Sequence, residues 1–141
     1  MNKLFILVAL MSFNLKADIK AELQDCHKDK NKRMLELIDG FSQDKQWRDT
    51  NKVFLENNRA ILLKSSEILP EIKESQEPWA LIWSNQEVLK KNAEIKVLFD
   101  EHFRLMKIRD EYISQRDSSY KEICLKLEQL REQLAASYKK K

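Results

Sequence analysis

An all-α fold follows from three observations. Gly40 is the only glycine, and Pro70 and Pro78 are the only prolines. Glu, Lys, Leu, Gln, Arg and Ala dominate elsewhere, which favours helix and leaves little turn chemistry. No stretch alternates apolar and polar residues with the period of a strand, so no β-sheet is expected. The architecture predicted is an antiparallel helical hairpin or an up-and-down bundle of three to four helical segments, coiled-coil-like in its seams.

The first segment places Ile19, Leu23, Cys26, Met34, Leu37, Ile38 and Phe41 at three-and-four spacing. The polar run from His27 to Arg33 interrupts it and is the weakest stretch of helix. At Asp39-Gly40-Phe41-Ser42 two readings stand. Gly40 can be the left-handed residue that ends a helix, with Ser42 capping the next. Alternatively the helix continues, because Cys26, Arg33, Gly40, Trp47, Phe54, Ile61 and Ile68 keep one heptad register, and a mid-helix glycine costs only about 1 kcal/mol. Trp47 to Leu69 is helix on either reading.

Pro70 to Pro78 is the clearest break. Leu69 and Glu77 each precede a proline and are turned away from helical geometry, while Pro78 suits the first position of a new helix. From there an apolar stripe at helical spacing, from Trp79 through Ile82, Trp83, Leu89, Ile95, Phe99, His102, Phe103 and Met106 to Ile113, continues along the chain. At Asp117-Ser118-Ser119 a joint is expected, with Ser119 and Glu122 as a capping box. Tyr120, Ile123, Cys124, Leu127, Leu130 and Leu134 form a last, narrow seam.

A hairpin turning near Ser75 pairs each residue with the one equally far beyond the turn. That sets Cys26 against Cys124, Leu23 against Leu127, Leu37 against Ile113, Trp47 against Phe103, Ile61 against Leu89 and Ile68 against Ile82. A strict four-helix arrangement would instead leave the cysteines about 13 Å apart along the axis, beyond the ~7 Å Cα limit of a bridge. Val53 to Leu55, Ala60 to Leu63 and Ile95 to Ile108 carry more apolar surface than two helices can cover. Either the ends fold back as a bundle, or two copies associate as a homodimer.

Residues 1–17, MNKLFILVALMSFNLKA, have the pattern of a cleaved signal peptide. Lys3 is its charged start, Leu4 to Phe13 its apolar core, and Leu15-Lys16-Ala17 its small-residue cleavage site. The core is about half of the roughly 20 residues a membrane span needs, so no transmembrane segment is expected after cleavage. A single helical domain over residues 18–141 is expected in the bacterial periplasm or outside the cell. Loss of Lys3 and Lys16 takes 26 Lys+Arg to 24 against 23 Asp+Glu, and the formal charge falls from +3 to +1. The basic balance is therefore no sign of nucleic acid. An oxidising compartment makes a Cys26 to Cys124 disulfide the default expectation.

Catalytic chemistry finds little material. The two histidines, His27 and His102, make no His-x-x-x-His, no Glu-x-x-His of the di-iron kind and no zinc spacing. A nucleophile elbow and a phosphate-cradling loop both need glycines that this chain lacks. Cys26-His27 has no second cysteine for covalent haem. A b-type haem or a metal ion could use only His102 with Met106 or Met34, so no cofactor is expected. An unrecognised hydrolase is the residual enzymatic reading. Trp79 and Trp83, one turn apart beside Pro78, are either core or a projecting partner-binding pair. Lys139 to Lys141 reads as a solvated tail that complements a helix end.

The functional expectation is a secreted or periplasmic, non-enzymatic helical protein. It would bind another envelope or extracellular protein as an inhibitor, adaptor or chaperone, with Trp79 and Trp83 as candidate contacts. A b-type haem or metal carrier using His102 and a self-associating envelope protein are the alternatives.

Overall fold

A computed structural model describes the backbone of residues 2–139 and the side chains of residues 15–139. The apolar core of the expected signal peptide and Lys140 and Lys141 thus lie outside the described side chains. The described residues are helical with short connections and no strands. Among the described residues seven α-helices stand where three to four helical segments were expected: α1 (Asn2–Leu37), α2 (Lys45–Ile68), α3 (Glu71–Glu74), α4 (Pro78–Ser84), α5 (Gln86–Leu89), α6 (Ala93–Ser114) and α7 (Ser118–Lys139). A 3-10 turn, Ile38–Phe41, follows α1.

The division of the stretch from Trp79 to Ile113 comes from side chains that compete for backbone groups. The Asn85 amide donates to the Leu81 carbonyl at 2.8 Å, and α4 ends there. Asn92 Oδ1 accepts from the backbone N–H groups of Glu94 at 3.0 Å and Ile95 at 3.2 Å, so a fresh helix starts at Ala93. Asparagine offers the chain such local alternatives to continued helix. The long stripe from Trp79 to Ile113 is therefore divided among α4, α5 and α6. The proline break falls where expected, with α2 capped at Leu69 and Pro78 opening α4.

The chain divides into two compact units, one of residues 1–40 and 113–141 and the other of residues 41–112. In the first, α1 and α7 run antiparallel and approach closely. Lys16 lies over the Tyr138 ring, Cys26 meets Ile123, and Arg33 meets Asp117. Cys26, Leu127 and Leu130 are buried between them, with Leu23 and Ile123 packed alongside. The polar run from His27 to Arg33 is continuous helix: Lys30 is buried and Arg33 is tied across to α7.

Cys26 and Cys124 are not bonded to each other, which corrects the expected disulfide. The Cys26 thiol donates to the Ile123 carbonyl at 3.6 Å instead. The pairing places Cys26 within one residue of Cys124 along α7. Neighbouring helical residues are turned by about 100° from one another, so that one-residue offset aims the two thiols differently. Burial also raises the Cys26 thiol above its usual range, which keeps it protonated and unreactive.

In the second unit, the core joins α2, α3, α4, α5 and α6 through Ile61, Ile72, Ile82, Leu89, Ile95 and Phe99. Ile61 and Leu89 share this cluster as the hairpin register requires, but Ile68 is exposed. Trp47 packs against Phe41 and Tyr112, not Phe103. The backbones of α2 and α6 come close at few points. Polar ties cross the gap: the Asn57 amide donates to the Leu98 carbonyl at 3.0 Å, and the Tyr112 hydroxyl donates to Asp44.

Both capping serines are corrections. Asp44, not Ser42, caps α2, accepting from the Gln46 N–H at 2.9 Å. Asp117, not Ser119, accepts from the Tyr120 N–H at 2.9 Å at the start of α7. Gly40 lies in the 3-10 turn without a positive φ, so no left-handed cap exists there. The helix does end, as one reading of this segment required, but by tightening into a 3-10 turn.

Candidate functional site

The described residues concentrate their aromatic side chains in the unit of residues 41–112, and α4 explains how. Pro78 starts this short helix with its ring-locked φ, and the next turn brings Trp79 and Trp83 to one side of it. Their rings stack with centroids 6.0 Å apart. Ile82, on the inward face, is fully buried and anchors α4 to the core. Trp83 continues onto α6, with its ring 5.5 Å from Phe99, 5.2 Å from His102 and 6.0 Å from Phe103.

Trp79, Trp83 and Phe103 therefore form a continuous strip of rings. Both tryptophans are half-buried, and Phe103 is 47% exposed. The two tryptophan readings meet here: the rings close the core on one side and reach the surface on the other. Phe103 belongs to the apolar stripe in the sequence, and its exposure depends on how α4 and α6 pack. No spacing rule marks it.

Behind the strip sits His102, 6% exposed. Its ring stacks on Phe54 at 5.2 Å and meets Phe103 edge-on at 5.4 Å. The Nδ1 atom is 2.7 Å from Asn58 Oδ1. An amide oxygen can only accept, so Nδ1 carries the proton and the imidazole is held in one tautomer. Burial first, and the like charge of Arg109 second, hold His102 below its ordinary value of 6.5, so it is neutral at pH 7. Arg109 places its guanidinium 4.1 Å from the Phe54 centroid and 5.2 Å from that of Trp47. These distances suit cation–π attraction. Asn58 and Arg109 are neighbours of this cluster that sequence spacing did not single out. The available signal was a polar residue one turn beyond Phe54 and one two turns beyond His102.

As a candidate metal or haem ligand, His102 has one ring nitrogen committed to Asn58 and its ring faces against aromatic neighbours. Met106, half-buried, follows one turn along α6. Among the described residues no group of three or more His, Cys, Asp or Glu side chains is placed to hold a metal ion. His27 lies on α1 in the other unit, half-buried. No helix among the described residues is long and apolar enough to cross a membrane. No known protein family, no curated protein and no solved structure matches this chain.

Proposed function

We propose that the chain is a secreted or periplasmic, non-enzymatic helical protein that binds another protein through the strip of Trp79, Trp83 and Phe103. The observation that carries this reading is the continuity of the strip: two half-buried tryptophans run into an exposed phenylalanine on a rigid core. Large aromatic side chains lose little entropy on contact and dominate binding energy at protein interfaces. In the same reading the helices pair as antiparallel, coiled-coil-like segments that serve as a scaffold, and the chain begins at Asp18 after signal cleavage. The partner is an envelope or extracellular protein, met by an inhibitor, adaptor or chaperone.

A photoreactive side chain at position 103 tests the proposal in envelope extract. One discrete adduct with another protein, absent when the probe stands at exposed Leu125 on α7, supports it. An adduct only with a second copy moves the reading to self-association, and indistinguishable adducts from both positions overturn it. Trp79→Ala should abolish the adduct while leaving the thermal melt little changed. Amino-terminal sequencing of the exported protein should begin at Asp18.

A further inference from the structure

We propose that His102 makes the aromatic strip acid-sensitive: as a neutral imidazole it props Trp83 and Phe103, and on protonation it releases them, loosening α4 from α2 and α6. The geometry is that of a buried histidine wedged among the rings it supports. From α2 it meets Phe54 and Asn58, from α4 Trp83, and from α6 Phe103.

Among the described residues the charges facing this pocket offer a proton no compensation. Arg109 is the charge that bears on His102, and it has the same sign. The nearest charges along α6, Glu101 and Arg104, pair with each other. On α2, Glu56 and Arg59 are exposed, and α4 carries no charged residue. Aromatic faces do attract a cation, by about 2 kcal/mol when desolvated. Here Arg109 already lies over Phe54, and an ionised group taken out of water without a counter-charge loses more than rings return.

The sign follows from linkage. A histidine held below its ordinary value binds its proton more readily in the unfolded chain. Its contribution to stability is then complete above about pH 6.5 and is lost as pH falls from there towards the depressed folded value. One proton changes the unfolding constant by up to about tenfold per pH unit across that window. The consequence for partner binding rests on the strip being the binding surface, but the release itself is read without any partner.

The experiment is an acid titration of the whole protein downward from about pH 7.5 until it unfolds, followed by tryptophan fluorescence and by the histidine ring signals in NMR. The His27→Gln variant assigns the remaining signal to His102. The expected result is a red shift in emission that tracks the His102 titration and is lost in His102→Phe, which keeps a ring but cannot bind the proton. If His102→Phe does not fold, the wild-type signals decide alone. A His102 ring that titrates at or above 6.5, or emission that does not follow it, overturns the proposal. So does a red shift of equal size in the folded Phe variant. Failure of the photocrosslink at position 103 would overturn the partner reading and leave this titration standing.

Discussion

The two compact units solve the same problem, keeping antiparallel helices together, with different side chains. On α1 and α7 the buried residues are mostly small or aliphatic, Ile19, Cys26, Leu127 and Leu130, with Tyr120 as a fully buried ring at the start of α7, and the backbones draw close. Among the described side chains of this pair, Leu15, Leu35, Leu125 and Tyr138 are the large apolar ones left exposed. Between α2 and α6 stand Trp47, Phe54, Phe99, His102 and Tyr112, and the backbones are held apart. Room opens for α4, whose Ile82 fills the gap. The wider spacing also leaves apolar side chains uncovered, among them Val53, Leu55, Leu63, Val97 and Phe103. Narrow seams make a closed pair, while broad aromatic ones make a surface, and for that reason the candidate site lies in the second unit.

One device is common to both. Asp44 and Asp117 each cap a helix and each reach across to the opposite one, Asp44 to the Tyr112 hydroxyl and Asp117 to the Arg33 guanidinium at 2.7 and 3.0 Å. A single carboxylate thus starts one helix and fixes it against its neighbour.

This comparison is broken most severely at Phe99, which is fully buried in the aromatic unit. Phe99→Ala should lower stability by about 3–5 kcal/mol, because the widely spaced helices cannot close over the cavity. Urea unfolding followed by tryptophan emission measures it. Asp44→Ala comes next, with a loss of about 1–2 kcal/mol from the removed cap and the lost hydrogen bond to the Tyr112 hydroxyl. Asp44→Asn, which keeps the cap, should recover part of that loss in thermal melts.

Asp117 sharpens the contrast through pH. The Arg33 guanidinium first, and the Tyr120 N–H second, hold its carboxyl below the ordinary 3.8. Its contribution is therefore present above that pH and is lost as pH falls below it. Asp117→Ala should flatten the acid limb of the far-ultraviolet circular dichroism curve, and Arg33→Ala should flatten it less, since the cap survives. The smallest expected effect is that of reductant, because Cys26 and Cys124 are unbonded. Dithiothreitol should leave the melt unchanged, and alkylation in denaturant without reductant should label both cysteines. A single protected pair would restore the disulfide.

The parts of this arrangement legible in the sequence are those set by covalent constraint and period. Pro70 and Pro78 mark the break because a fixed ring acts whatever its surroundings. The three-and-four spacing of Ile19, Leu23 and Cys26 and of Leu127, Leu130 and Leu134 marks the facing sides, and a chain doubled back near Ser75 places Cys26 on α7 to within one residue. Rotation about the helix axis is not legible to that precision, and a disulfide depends on it. The caps escaped for a related reason. Ser42 and Asp44, or Asp117 and Ser119, are each acceptable as caps, and the choice was decided by Tyr112 and Arg33 on the opposite helices. Phe103 was legible as apolar but not as exposed, since nothing in its own helix specifies where α4 will lie.

The most direct test uses the placement of the tryptophans. Trp47, Trp79 and Trp83 are the only three in the chain, and all lie in the unit of residues 41–112, whereas circular dichroism reports helix in both units. Following one acid titration by both signals asks whether the two units are held by different chemistry. The account predicts two separate transitions, with tryptophan emission changing first, below about pH 6.5, and the bulk of the helical signal persisting into the carboxylate range. Coincident transitions on a single midpoint would contradict it.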